Sequence, residues 1–152
     1  MNLLLIYIVA IFQWLNPEET KNKAFQPQQP IQSRIKLNYI KNPRIKIDGG
    51  GNYYTYDTTS LDKKKHIFVI SASKTSFISL MNQSEYIYME RSTKEDLTDG
   101  FIKEKFQGDG YTAILKTKRV KSINDYSSLH EGTLIISNQK ASTSFKVHGI
   151  VE

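Results

Sequence analysis

The chain has 152 residues, 21 Lys and Arg against 15 Asp and Glu, three His and no Cys. That length suits one domain, and the absence of Cys excludes disulfides, thiolate metal sites, Cys nucleophiles and a Cys-linked lipid anchor. Only four of the 21 basic residues are Arg, while Ile alone accounts for 18 residues and Ala for five.

Residues 3–12 are unbroken apolar sequence, followed by Gln13, Trp14 and Leu15. A bilayer crossing needs about 20 such residues in a helix, whereas the apolar core of a secretory signal is this short. Residues 1–15 therefore read as a signal-like segment that is cleaved or stays membrane-associated, and the protein is expected to be exported to the periplasm or cell envelope. Membrane contact is expected only through residues 1–15. Residues 16–30 carry Pro17, Pro27, Pro30 and three Gln, with Glu18 and Glu19 cancelling Lys21 and Lys23. Missing backbone donors and little apolar surface make this a spacer. The whole net charge of +6 thus falls on residues 31–152.

In residues 31–152, Ile, Val, Thr, Tyr and Phe total 42 and Ala and Leu total 10. β-Branched and aromatic side chains suit a pleated, half-buried surface, so a single all-β domain is expected. Ile31, Ser33, Ile35, Leu37 and Tyr39 share one face at period two. Asn42-Pro43 interrupts, Arg44–Ile47 resumes, and Asp48-Gly49-Gly50-Gly51-Asn52 reads as a turn. His66–Ile70 is a continuous apolar run, the pattern of a strand covered on both faces. Phe77–Leu80 and Tyr86–Met89 are further strands joined by Asn82-Gln83-Ser84, formally a glycosylation sequon. In Tyr111–Val120, Tyr111, Ala113, Leu115 and Thr117 oppose Thr112, Ile114, Lys116 and Lys118. Thr133–Ile136 and Phe145–Val147 flank the polar turn Asn138-Gln139-Lys140 as a hairpin. Ser92 and Glu95 have capping-box spacing, but Asp99-Gly100 would break a helix early, so one turn at most is expected in Ser92–Phe106, with Phe101–Phe106 left between strand and helix. The sum is about eight strands without a βαβ rhythm. A single antiparallel β-sandwich is the expected fold, with a partly closed β-barrel as the alternative.

No catalytic, cofactor or metal motif is present: nucleophile elbows, HExxH, GxxxxGK and GxGxxG are all missing. His66, His130 and His148 are too scattered to define a zinc site, and Asp96, Asp99, Asp109 and Asp125 fit turns better than calcium loops. No cofactor is therefore expected, and the protein leans towards a non-enzyme. The strongest signal is basic. Lys63, Lys64 and Lys65 precede an apolar strand, and Lys116, Lys118, Arg119 and Lys121 line the end of another. These seven are candidates for contact with a polyanion, and Tyr53, Tyr54 and Tyr56 could stack on bases. A basic barrel with aromatic platforms would be an OB-like nucleic-acid-binding domain. Lys at strand edges also blocks aggregation without any ligand, so nucleic acid ranks below an envelope protein or acidic surface as partner.

Gly110-Tyr111-Thr112, Gly132-Thr133-Leu134-Ile135-Ile136 and Phe145-Lys146-Val147-His148-Gly149 resemble the closing strands of small, uncharacterised exported β-proteins of the Bacteroidetes, as does the Lys-, Ile- and Asn-rich, Arg-poor composition. The resemblance covers about the last 45 residues. Such proteins often carry a lipobox Cys or a Cys near the C-terminus, and this chain has neither. The resemblance brings no catalytic residues with it. The apolar N-terminus, the Pro/Gln spacer and the strand-rich domain together lead to the expectation of an exported non-enzymatic domain with a binding or structural role in the cell envelope.

Overall fold

The computed structural model describes residues 34–41, 51–81 and 83–152, within a unit that spans Gln32–Glu152. The signal-like segment, the spacer, Ile31 and Ser33 of the first alternating run, residues 42–50 and Asn82 of the sequon lie outside the described residues.

Nine strands form: β1 (Leu37–Asn38), β2 (Gly51–Tyr56), β3 (Phe68–Ser71), β4 (Thr75–Leu80), β5 (Tyr86–Asp96), β6 (Phe101–Gly108), β7 (Tyr111–Ser122), β8 (Ser128–Ser137) and β9 (Ser142–Val151). All pairings are antiparallel. β2 to β9 pair each with the next, and β2 also pairs with β9, which closes eight strands into an up-and-down barrel. The main expectation of a sandwich is therefore corrected to its alternative, and the closure is complete. A five-stranded OB Greek key is a different topology. Closure removes the unpaired edges that a sandwich would leave open, and an eight-stranded barrel is narrow enough for side chains to fill.

Turn chemistry sets the meander. Asp109-Gly110 is a two-residue loop between paired Gly108 and Tyr111, with φ of 49° and 76°. Positive φ at both central residues is the type I′ hairpin condition, which Asp-Gly meets at little steric cost. The Asp109 carboxylate also accepts from the Tyr88 amide at 3.2 Å. In the β8–β9 hairpin, Asn138 Oδ1 accepts from the amides of Lys140 and Ala141 at 2.9 and 2.8 Å. The expected C-terminal hairpin is thus found with its turn where the sequence placed it.

The capping-box spacing of Ser92 and Glu95 starts no helix, since both lie in β5. Ser92 sits at a bulge in β5, where the register shifts between Arg91 and Thr93, and its hydroxyl donates to the Lys105 carbonyl at 3.1 Å. The 3-10 turn of this stretch is Thr98–Gly100, beyond the strand. Phe101–Phe106 is strand.

Register sorts the inner face. Phe68, Ile78, Phe106, Ala113, Leu115, Leu134 and Ile136 are fully buried in the lumen. β3 is covered on both sides, as its continuous apolar run requires: Phe68 and Ile70 point inward, while Val69 packs outside with Phe77 and Ile40. Residues 34–41 close one end. The Ile35 amide donates to Thr143 Oγ1 at 3.0 Å, the Tyr56 hydroxyl donates to the Leu37 carbonyl at 3.0 Å, and β1 pairs with the end of β4. Ile35 and Leu37 join the lumen core, so this end is plugged by apolar side chains.

Candidate functional site

The opposite end is polar. Paired residues on one face of a sheet stand side by side, and two rows of the register define this end. One runs Lys94, Glu104, Leu115, Leu134; the other runs Arg119, His130, Gly149, Tyr54, Phe68. Each starts with a cation at the rim and ends in the apolar lumen.

Glu104 is buried inside the barrel and accepts from Arg91 Nη1 at 2.5 Å. A carboxylate held away from water needs such a partner, because losing hydration costs several kcal/mol. Arg91 reaches it because the bulge at Ser92 re-aims that part of β5. By contrast, Lys103 and Glu95 form an exposed pair on the outer face at 3.3 Å, which contributes little.

His130 is 5% exposed and takes its place in the lumen opposite Gly149. Its Nε2 is 3.1 Å from Ser128 Oγ, and its buried Nδ1 has no hydrogen-bond partner. Burial, and next the Arg119 guanidinium, push its pKa below the ordinary imidazole value; Glu104 pulls the other way and Lys94 adds to the depression. The ring is therefore held in its neutral form. Tyr54 is buried beside it, with its phenol pushed well up by burial, offset by a hydrogen bond with Thr117 and reinforced by the Glu104 charge.

The Ser128–His130 contact has the length of a nucleophile–base pair, but Nδ1 lacks the acceptor that would orient such a base. The Glu104 carboxylate is engaged by Arg91 instead. What the arrangement offers chemically is a neutral imidazole whose Nδ1 has no partner, with Lys94 and Arg119 at the rim.

The seven expected basic residues do not form one patch. Lys63, Lys64 and Lys65 are exposed in the β2–β3 connection at the plugged end, with the Lys65 ammonium 5.3 Å from the Tyr39 ring centre. Lys116, Lys118 and Lys121 belong to the outer face of β7, separated from that connection by β8 and β9. Arg119 belongs by register to the inner face, and donates to the Ser122 hydroxyl. On the outer face, the Lys116 and Lys118 ammonium groups sit 4.7 and 5.7 Å from the Phe101 ring centre. This ring borders an open groove of about 480 Å³ lined also by Asp57, Val120, Glu131 and His148.

The tyrosine platform is corrected by the same alternation. Tyr54 is wholly buried and Tyr56 packs against the lumen core, so only Tyr53 of the three faces outward, against His66. The three His occupy separate places: His66 before β3, His130 inside, and His148 outside with Nε2 2.6 Å from the Thr59 carbonyl. Among the described residues, no three His, Cys, Asp or Glu cluster to hold a metal.

Arg91, Glu104 and His130 were not singled out as site residues by sequence reasoning. The first two flank or fall in the stretch expected to turn helical. For His130, the available signal was Ser128-x-His130, two polar residues on one face of a strand.

The fold and this end define a closed eight-stranded antiparallel barrel with one apolar and one charged end. Comparison with family models, curated proteins and solved structures finds no match.

Proposed function

We propose that this chain is an exported, non-enzymatic binding module of the cell envelope, and that its ligand end is the charged end of the barrel. The observation that carries the ligand end is His130 Nδ1, buried and without a partner beside the Arg91–Glu104 pair. Buried polar atoms are nearly always satisfied, and an exception calls for an explanation such as a bound water or ion. Barrel mouths are a recurrent place for small ligands. The partner class is a small carboxylate- or phosphate-type anion, drawn by Lys94 and Arg119 and fixed by the imidazole N–H. Export is supported by the apolar residues 3–12 ahead of a Pro- and Gln-rich stretch and by the likeness to exported β-proteins of the Bacteroidetes.

The ligand end is tested by following the His ring signals of the full chain by NMR while acetate, inorganic phosphate or sulfate is added. A saturable shift confined to His130, lost in Arg119→Ser, is expected. Parallel drift of all three His, or no response to any of these anions, would overturn it. Export is tested separately by intact mass of native material: Met1 retained on a soluble cytosolic protein would sink that half.

A further inference from the structure

The β7–β8 hairpin runs past β6 on one side, while on the other β9 accompanies β8 to Ser128. β6 pairs with β7 only as far as Lys118, yet the β7–β8 ladder continues to Ser122 and Ser128. With Val120 taken up in a bulge, three paired positions at about 3.3 Å each carry this edge roughly 10 Å beyond β6. Of the five large apolar residues exposed among the described residues, three lie on this projection: Val120 at 49%, Ile123 at 50% and Tyr126 at 86%. An apolar side chain left in water is ordinary when isolated, but a cluster of them usually marks a contact surface.

The tip is also held in one shape. Asn124 Oδ1 accepts from the amides of Tyr126 and Ser127 at 2.9 and 2.8 Å and from the Ser127 hydroxyl at 3.0 Å. The Ile123 amide donates to the Ser127 carbonyl at 2.9 Å. Ile123 and Tyr126 are therefore displayed by an ordered turn and would lose little conformational freedom on contact. Behind them, the strand carries Lys116, Lys118, Arg119 and Lys121 against two carboxylates on the same hairpin, Asp125 and Glu131.

We propose that the tip of this hairpin docks on an anionic lipid surface, with Ile123 and Tyr126 entering the interface and Lys118 and Lys121 meeting the headgroups. Three side chains on a narrow projection are too few for the roughly 1,000 Å² of a stable protein interface. They suffice for shallow entry into the headgroup region, where Tyr is favoured and each nearby Lys adds about 1 kcal/mol on an anionic membrane. This inference rests on the exposed tip and is independent of the ligand end inside the barrel.

The test uses the full chain, so that residues 1–15 are common to every sample. Co-sedimentation is measured with phosphatidylcholine vesicles and with vesicles in which a third of the lipid is phosphatidylglycerol. Binding to the anionic vesicles that weakens as salt rises is expected. Ile123→Ser with Tyr126→Ser should lower that binding about tenfold or more, with an unchanged circular dichroism spectrum and melting curve. Asp125→Asn, which touches neither core nor ladder, should strengthen it. Equal binding by wild type and the Ser double variant would overturn the proposal. So would equal binding to both vesicle types, or no binding accompanied by self-association that the double variant abolishes.

Discussion

Tyr54 lies against the bare backbone of Gly149. A Cβ at position 149 would stand 2.5 Å from Tyr54 Cδ1 and 2.3 Å from the Tyr53 carbonyl oxygen. The two residues face each other across β2 and β9, the pair that closes the barrel. Glycine therefore makes room for a full aromatic ring inside a narrow lumen, and the ring fills the space that the glycine leaves.

From this it follows that Gly149→Ala strains the closing seam. The backbone carbonyl cannot move without breaking the ladder, so the ring and both strands must shift. Overpacking of this kind costs about 1–3 kcal/mol. Urea unfolding of Gly149→Ala should show a midpoint lowered accordingly. A midpoint equal to wild type would mean that the seam is looser than the contact distances imply.

The Arg91–Glu104 pair should respond asymmetrically to substitution. Arg91→Leu leaves a carboxylate buried in the lumen without a counter-charge, and breaking a buried pair in this way costs about 3 kcal/mol or more. Glu104→Gln keeps a hydrogen-bond acceptor in place and leaves Arg91, which is nearer the surface, able to reach water. Its cost should be clearly smaller. Equilibrium denaturation of the two variants at neutral pH measures the difference, and equal losses would contradict the reading.

Acid should destabilise the fold through its histidines. His130 is held below the ordinary imidazole pKa by burial and by Arg119, and His66 by burial. As pH falls below about 6.5, the unfolded chain binds protons that the folded chain resists, so stability declines in that window until the folded groups themselves titrate. Above it both states are neutral and these two groups add no slope. His130→Gln should flatten the decline in stability measured between pH 7 and pH 5 by urea unfolding, relative to wild type. An unchanged slope would assign the acid sensitivity to other groups.

The inner face of β7 was legible in the sequence because Ala113, Leu115 and Thr117 alternate with exposed Lys116 and Lys118. β3 was legible as a doubly covered strand because four consecutive apolar residues cannot all hide on one side. The far half of β5 was not legible. From Arg91 to Asp96 its inner positions are Arg91, Lys94 and Asp96, so that end is lined by charge and no apolar period exists to read. Ser92 and Glu95 then satisfied a helix-capping pattern, although Ser92 is the extra residue of a bulge.

By itself, the sequence determined the strand-forming bias, the turn positions at Asp109-Gly110 and Asn138–Lys140, the basic charge of residues 31–152 and the absence of covalent staples. These are local properties, written in side-chain shape and backbone preference. Only the tertiary structure decided that β9 returns to β2. Alternation records which face of a strand is buried, whereas sandwich and barrel bury the same face. Closure in turn decided the site, because Arg91, Glu104 and His130 lie on three different strands. Their meeting is a consequence of register and curvature.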